Sequence, residues 1–237
     1  MTAFISPLQM RPPPAKPVIH YPDSDGKPMA ENTLQFTWIV TLKEEIEALF
    51  SEDPNVFIAG DLLWYPVEGS VYTCVAPDVL VAFGRPKGYR GSYKQWEEGG
   101  ISPQVIFEVL SPGNTYSEMQ RKLKFYETHG VEEYYVYNPD DFLLEGWMRG
   151  PNGLEQMKSL DGWTSPRLGI TFRLGNGEME VYRPDGRKFL TPVENIKRAD
   201  QATKEANTAS ARVKEEAARA DKYAALLREM GVDPDSL

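Results

Sequence analysis

Gln104-Val105-Ile106-Phe107-Glu108-Val109-Leu110-Ser111-Pro112 is a nearly continuous apolar run broken by one carboxylate and closed by a proline. Short runs of this kind, rich in β-branched and aromatic residues, read as buried strands. A second one, Pro77-Asp78-Val79-Leu80-Val81, carries an acid at its start. Strand alternation puts Asp78 on the face of Leu80 and Ala82, and Glu108 on the face of Ile106 and Leu110. A lone carboxylate among buried apolar side chains is costly unless it is paired, protonated or bound to a cation. Two such acids on adjacent strands can share one hard cation. The plainer alternatives are that Asp78 only starts a strand after proline and that Glu108 forms a structural ion pair.

The segment after Glu108 supplies a third element. Thr115 and Glu118 form a Thr-x-x-Glu capping box, which predicts a helix start near residue 115, and His129-Gly130 is a suitable stop. At about 100° per residue, Lys122 lies about 40° from Glu118, inside the arc of Met119, Leu123 and Tyr126. Lys124 falls on the far side. Lys122 is therefore the lysine that points toward the sheet, unless it only snorkels at the core edge. A lysine beside two carboxylates suits phosphodiester hydrolysis. Asp78 and Glu108 would hold a divalent ion, with the Val109 carbonyl as a further oxygen ligand. Lys122 would orient a water or stabilise developing negative charge. Glu118 is explained by the capping box and as an i,i+4 partner of Lys122. Glu45 and Asp61 are further carboxylates to consider as ligands.

Outward from this centre the chain divides into three parts. Residues 1–34, with Arg11-Pro12-Pro13-Pro14 and Pro22-Asp23-Ser24-Asp25-Gly26, read as a flexible proline-rich arm. Residues 35–192 read as the core. It has a helix from Thr41 to Phe50 and a strand at Val56–Gly60 continuing toward Leu62-Leu63-Trp64-Tyr65. The Asp78 and Glu108 strands, the helix and the strand Tyr134–Tyr137 follow. From Phe142 to Tyr182 a β meander is expected, with turns at Gly150–Gly153, Gly175–Gly177 and Pro184–Gly186. Residues 193–237, rich in Ala, Glu, Lys and Arg, predict a long C-terminal helix. Its heptad seam (Ile196, Ala199, Thr203, Ala206, Ser210, Val213, Ala217, Ala220, Ala224, Leu227) is mostly small residues. It could pair as a coiled coil, in a homodimer or with a partner protein through 193–230, or project into solvent.

Composition narrows the classes. The 237 residues, 41% hydrophobic and 11% aromatic, suit a globular protein. No run approaches the roughly 18 apolar residues of a membrane span, and the amino terminus lacks the apolar stretch of a secretory signal. One cysteine, Cys74, excludes an internal disulfide, and the default compartment is the reducing cytoplasm. Two histidines, His20 and His129, with one cysteine argue against zinc and toward carboxylate-bound Mg2+ or Mn2+. The net charge of −9 argues against nucleic-acid binding through the overall field. A local patch remains open. The loop Gly84–Trp96 offers Arg85, Lys87, Arg90 and Lys94, interleaved with aromatic rings, as contacts for phosphates and bases; its alternative is a flexible hairpin loop. It lacks a Gly-Lys-Ser/Thr ending and is not a P-loop.

From about Val56 to Pro139 the chain resembles the bacterial restriction-endonuclease-like family of the PD-(D/E)XK nuclease superfamily. The resemblance is densest in Pro77-Asp78-Val79, in Glu108-Val109-Leu110-Ser111-Pro112, and from Lys122-Leu123 through Tyr126, Gly130-Val131 and Glu133-Tyr134-Tyr135. It implies an α/β fold: a restriction-endonuclease-like mixed sheet flanked by helices, to which the meander and long helix are appended. In that superfamily the lysine normally stands two residues after the second acid. Position 110 is leucine here, and the resemblance implies a lysine displaced onto the following helix, Lys122. Glu118 matches an acidic position of that helix, with an implied contact to the metal through water. The implied activity is Mg2+-dependent endonucleolytic cleavage, of DNA rather than RNA. The rival reading is a non-enzymatic nuclease-fold scaffold that binds partners through its C-terminal helix.

Overall fold

The computed structural model describes residues 19–24, 26, 28–175 and 177–231. The Arg11–Pro14 segment of the expected arm lies outside them, as do Asp25, Asn176 and the last six residues. The described elements are α1 (Thr33–Leu49), β1 (Val56–Gly60), β2 (Trp64–Tyr65), β3 (Val79–Phe83), β4 (Tyr93–Lys94) and β5 (Val105–Val109). There follow α2 (Tyr116–Thr128), β6 (Glu133–Asn138), β7 (Leu143–Gly150), β8 (Gly153–Gln156), β9 (Thr171–Arg173), β10 (Glu180–Tyr182) and α3 (Pro192–Glu229).

A six-stranded sheet runs β1-β3-β5-β6-β7-β8. Its neighbours are antiparallel except β5 and β6, which are parallel and joined by α2. Parallel neighbours need such a crossover, because a tight turn can only reverse a strand. Alternation sorts the core into two layers. Val79, Val81, Val105, Phe107, Val109, Tyr135 and Tyr137 pack with Ile39, Leu42 and Ile46 of α1, and with Phe172 and Val181 of β9 and β10. Leu80, Ala82, Ile106, Tyr134 and Val136 pack on the other side, with Tyr126 of α2 and with Trp64 and Tyr93. Asp78 and Glu108 share the parity of this second set, as alternation requires.

Three local expectations change. The first helix starts at Thr33, not Thr41, capped by Asn32, whose side chain accepts from Gln35 N–H. Its first turns bury a polar residue, Gln35, so the apolar period begins late. The strand from Val56 does not continue to Tyr65. Asp61 turns the chain in the left-handed region (φ 47°), and Trp64–Tyr65 pairs in parallel with β4 in a separate two-stranded sheet. The meander splits: β7 and β8 extend the central sheet, whereas β9 and β10 form their own hairpin. The long helix begins at Pro192 behind a complete Thr191/Glu194 capping box, and none of its residues is buried. Among the described residues no helix is long and apolar enough to cross a membrane.

Candidate active site

The acid pair is set by sheet register. Val79 lies opposite Phe107 and Leu80 opposite Ile106 in the antiparallel β3–β5 ladder. Continuing that register by one residue places Asp78 opposite Glu108. Directly opposed residues hold their Cβ atoms about 5 Å apart, and like charges there destabilise a sheet. Two full charges at about 5 Å repel by on the order of 3 kcal/mol at an effective dielectric of about 20. Burial, with Glu108's charge added, pushes the Asp78 carboxyl well above its usual range, and Lys122 and the Val109 N–H only partly offset this.

Helix α2 supplies the counterweight from one face. Lys122 Nζ donates to Glu108 Oε2 at 2.7 Å, and the buried Tyr126 hydroxyl donates to Glu108 Oε1. Positions 122 and 126 are one turn apart, so both donors reach one carboxylate. Burial opposes the charge on Lys122, yet Glu108 and Asp78 outweigh it and raise its pKa. Burial and Glu108 push the Tyr126 phenol well up, so it remains a neutral donor. Lys124 points away and pairs with Glu127.

Both backbone polar groups of Val109 are held. Its N–H donates to Asp78 Oδ2 at 2.6 Å, and its carbonyl accepts from Gln35 Nε2 of α1 at 2.8 Å. A carbonyl oxygen has two lone pairs, so the bond from Gln35 leaves one for another partner. Among the described residues Asp78 Oδ1 makes no hydrogen bond. The Tyr134 hydroxyl, buried beside the pair, likewise has no hydrogen-bond partner among them. Asp78 Oδ1, Glu108 and the Val109 carbonyl thus make an all-oxygen donor set suited to a hard cation. No group of three or more His, Cys, Asp or Glu gathers at metal-binding distance among the described residues. Mg2+ characteristically takes one or two carboxylates and fills its remaining positions with water and substrate phosphate, so the donor set fits.

Asp78 and Lys122 open on a cleft of about 730 Å³, whose walls also include Asp61, Glu118 and Arg121, with Glu108 buried behind them. Thr115 caps α2 by accepting from Glu118 N–H at 3.3 Å. The Glu118 side chain does not return the bond to Thr115 and faces the cleft instead, so the capping box is only half made. Glu45 is not near the pair: it bonds Arg183 and Asn195 on the α1 side. The basic loop is also elsewhere. Arg85 and Arg90 both pair with Glu98, Lys87 with Glu47, and Lys94 approaches Glu97 at 3.6 Å. None of the four lines the cleft. The helical period marks Tyr126 for packing alone, and Gln35 lies outside every candidate set in the sequence. The one-turn spacing from Lys122 to Tyr126 was the available signal; for Gln35 there was none.

The mixed sheet, the crossover helix and the acid–acid–lysine set across them define a restriction-endonuclease-like module. A family model described as "Uma2: Putative restriction endonuclease" matches residues 26–201. The chain belongs to that family, and membership supports a nuclease. The crystal structure of a "putative nuclease" from Anabaena variabilis ATCC 29413 aligns with a TM-score of 0.45 at 14% identity, over 58% of this chain and 75% of that one. No curated protein matches the chain.

Proposed function

We propose that this protein is a Mg2+- or Mn2+-dependent endonuclease that hydrolyses phosphodiester bonds in DNA. The observation that carries this reading is the cross-strand pair Asp78 and Glu108 with Lys122 held at 2.7 Å from Glu108. A divalent ion bound by Asp78, Glu108 and the Val109 carbonyl would neutralise phosphate charge and make water more acidic. Tyr126 and Lys122 fix Glu108 through both of its oxygens. Asp78 holds the Val109 N–H and Gln35 its carbonyl, so the carbonyl keeps one direction. Lys122, kept as an ammonium, orients the attacking water and stabilises charge developing on the phosphate; a protonated lysine does not take the water's proton. Glu118, on the cleft wall, can reach the ion through water.

Residues 35–192 form the nuclease unit in this reading, and the single cysteine suits a cytoplasmic setting. The long α3, none of whose residues is buried, favours a second role, self-association or partner binding through 193–230. It is also what a non-enzymatic scaffold would present. Plasmid nicking with Mg2+ or Mn2+ separates the readings. The wild type should nick, and Glu108→Ala, purified identically, and EDTA-treated protein should not. Folded wild-type protein inert on several DNA and RNA substrates would leave the scaffold.

A further inference from the structure

The turn between β5 and α2 carries a seat for an oxygen anion. Its residues, Ser111 to Asn114, lock on themselves: Ser111 N–H donates to Asn114 Oδ1 at 2.9 Å, and Asn114 N–H to the Ser111 carbonyl at 3.1 Å. The Ser111 hydroxyl, on a buried residue, is turned outward and donates to Glu31 Oε2 at 2.6 Å. Gly113 completes the seat. A Cβ there would fall 2.1 Å from Glu31 Oε2, so only glycine lets the carboxylate settle against the turn. Glu31 arrives on the segment before α1, its backbone N–H donating to Gln35 Oε1 at 2.8 Å. The Glu31 side chain is solvent-exposed and tethered through its carboxylate, so leaving costs little burial.

The seat opens on the same cleft as Asp78 and Lys122. Arg121 lines that cleft too, exposed and without an ion-pair partner among the described residues. The cations of the 84–96 loop are committed to carboxylates of their own chain. Arg121 is therefore the cleft cation left for an incoming anion. A phosphodiester oxygen has the acceptor chemistry of the seated carboxylate and pairs readily with a guanidinium.

We propose that Ser111, Gly113 and Arg121 form a subsite for a backbone phosphate of the nucleic-acid substrate, beside the acid pair, and that the Glu31 carboxylate occupies it in the free protein. This rests on the nuclease reading and adds to it: substrate enters by displacing the chain's own anion. Glu31 thereby acts as a built-in competitor.

The first readout needs no catalysis and no divalent ion. Full-length protein in EDTA is titrated with inorganic phosphate, and the rise in Tm reports binding. Glu31→Ala vacates the seat and should bind phosphate about tenfold more tightly than wild type. Gly113→Ala also evicts the Glu31 carboxylate, but its methyl group fills the seat, so it should show no gain. Glu31→Ala combined with Ser111→Ala or Arg121→Ala should lose the gain. A short DNA oligonucleotide should then compete with phosphate in Glu31→Ala. An unchanged phosphate response in Glu31→Ala overturns the subsite, and a gain that persists in Gly113→Ala overturns its location. Phosphate binding that no oligonucleotide displaces would assign the seat to free phosphate and overturn the nucleic-acid assignment. Metal-dependent nicking is scored separately, so a failed nuclease reading with an intact phosphate response is told apart from a failed subsite.

Discussion

Glu108 has every oxygen engaged before any cation arrives, and each partner can be removed on its own. Tyr126→Phe keeps the ring stacked with Trp64 and deletes only the donor to Glu108 Oε1. Losing a buried hydrogen bond to a charged group should cost about 1.5–3 kcal/mol, read as a lowered urea midpoint with unchanged m. Lys122→Met goes further, because it removes the cation that offsets two opposed carboxylates. The metal-free variant should lose more stability than Tyr126→Phe, and Mn2+ should raise its Tm by more than it raises that of the wild type. Nicking should be abolished. Equal Mn2+ shifts in the two proteins would mean that Lys122 does not share its carboxylates with the cation. Asp78→Asn keeps an acceptor for the Val109 N–H but removes the charge, so the Mn2+ shift itself should vanish. A surviving shift would take Asp78 out of the ligand set.

The loop between β3 and β5 behaves as a structural hub rather than a flexible hairpin loop. Glu98, nearly buried, accepts from Arg85 at 3.0 Å and from Arg90 at 2.5 Å, and the Arg90 guanidinium lies 3.9 Å above the Phe57 ring. Hydrogen bonds from Arg90, more than burial opposes, hold the Glu98 carboxyl below its ordinary 4.5. A carboxylate whose folded pKa is depressed stabilises the fold fully above its unfolded value, and that contribution fades as pH falls through the folded value. Glu98→Gln should therefore melt below the wild type at pH 7, and the difference should close as the pH is taken below 4.5. A gap that is constant with pH would mean that packing, not charge, holds the loop. The same elements show what a sequence can and cannot carry. The two acid strands and the inward lysine were readable because period 2 and period 3.6 are local properties of β3, β5 and α2. The early start of α1 was hidden by Gln35, a polar residue buried to reach a carbonyl 74 positions away. The basic loop read as free cations because Glu98 and Glu47 find them through the fold, at no fixed spacing.

At the scale of the whole molecule, α3 is the part that the core does not explain. Its 38 residues would extend about 57 Å, and Ile196 and Val213 of its seam are 63% and 66% exposed. Helices this exposed ordinarily gain stability by packing an apolar face, and here only the base is fastened. Glu45 of α1 accepts from Arg183 and from Asn195 Nδ2, and the Asn195 amide also reaches the Leu190 carbonyl at 3.2 Å. That anchor, with the Thr191 cap, fixes where the helix leaves the body, and everything beyond about residue 200 can be cut without touching it. Truncation after Ala202 should leave the melting of the core unchanged. If α3 pairs two copies, light scattering should show the solution mass falling from two chains to one, and reversing a seam position with Leu227→Asp in the full chain should do the same. An unaltered mass defeats self-association through α3. Nicking by the truncated protein, at a rate per chain close to that of the full chain, would then place the chemistry wholly in the sheet and α2. Loss of nicking on truncation would mean instead that cleavage needs two copies side by side, the arrangement by which a one-site nuclease cuts both strands.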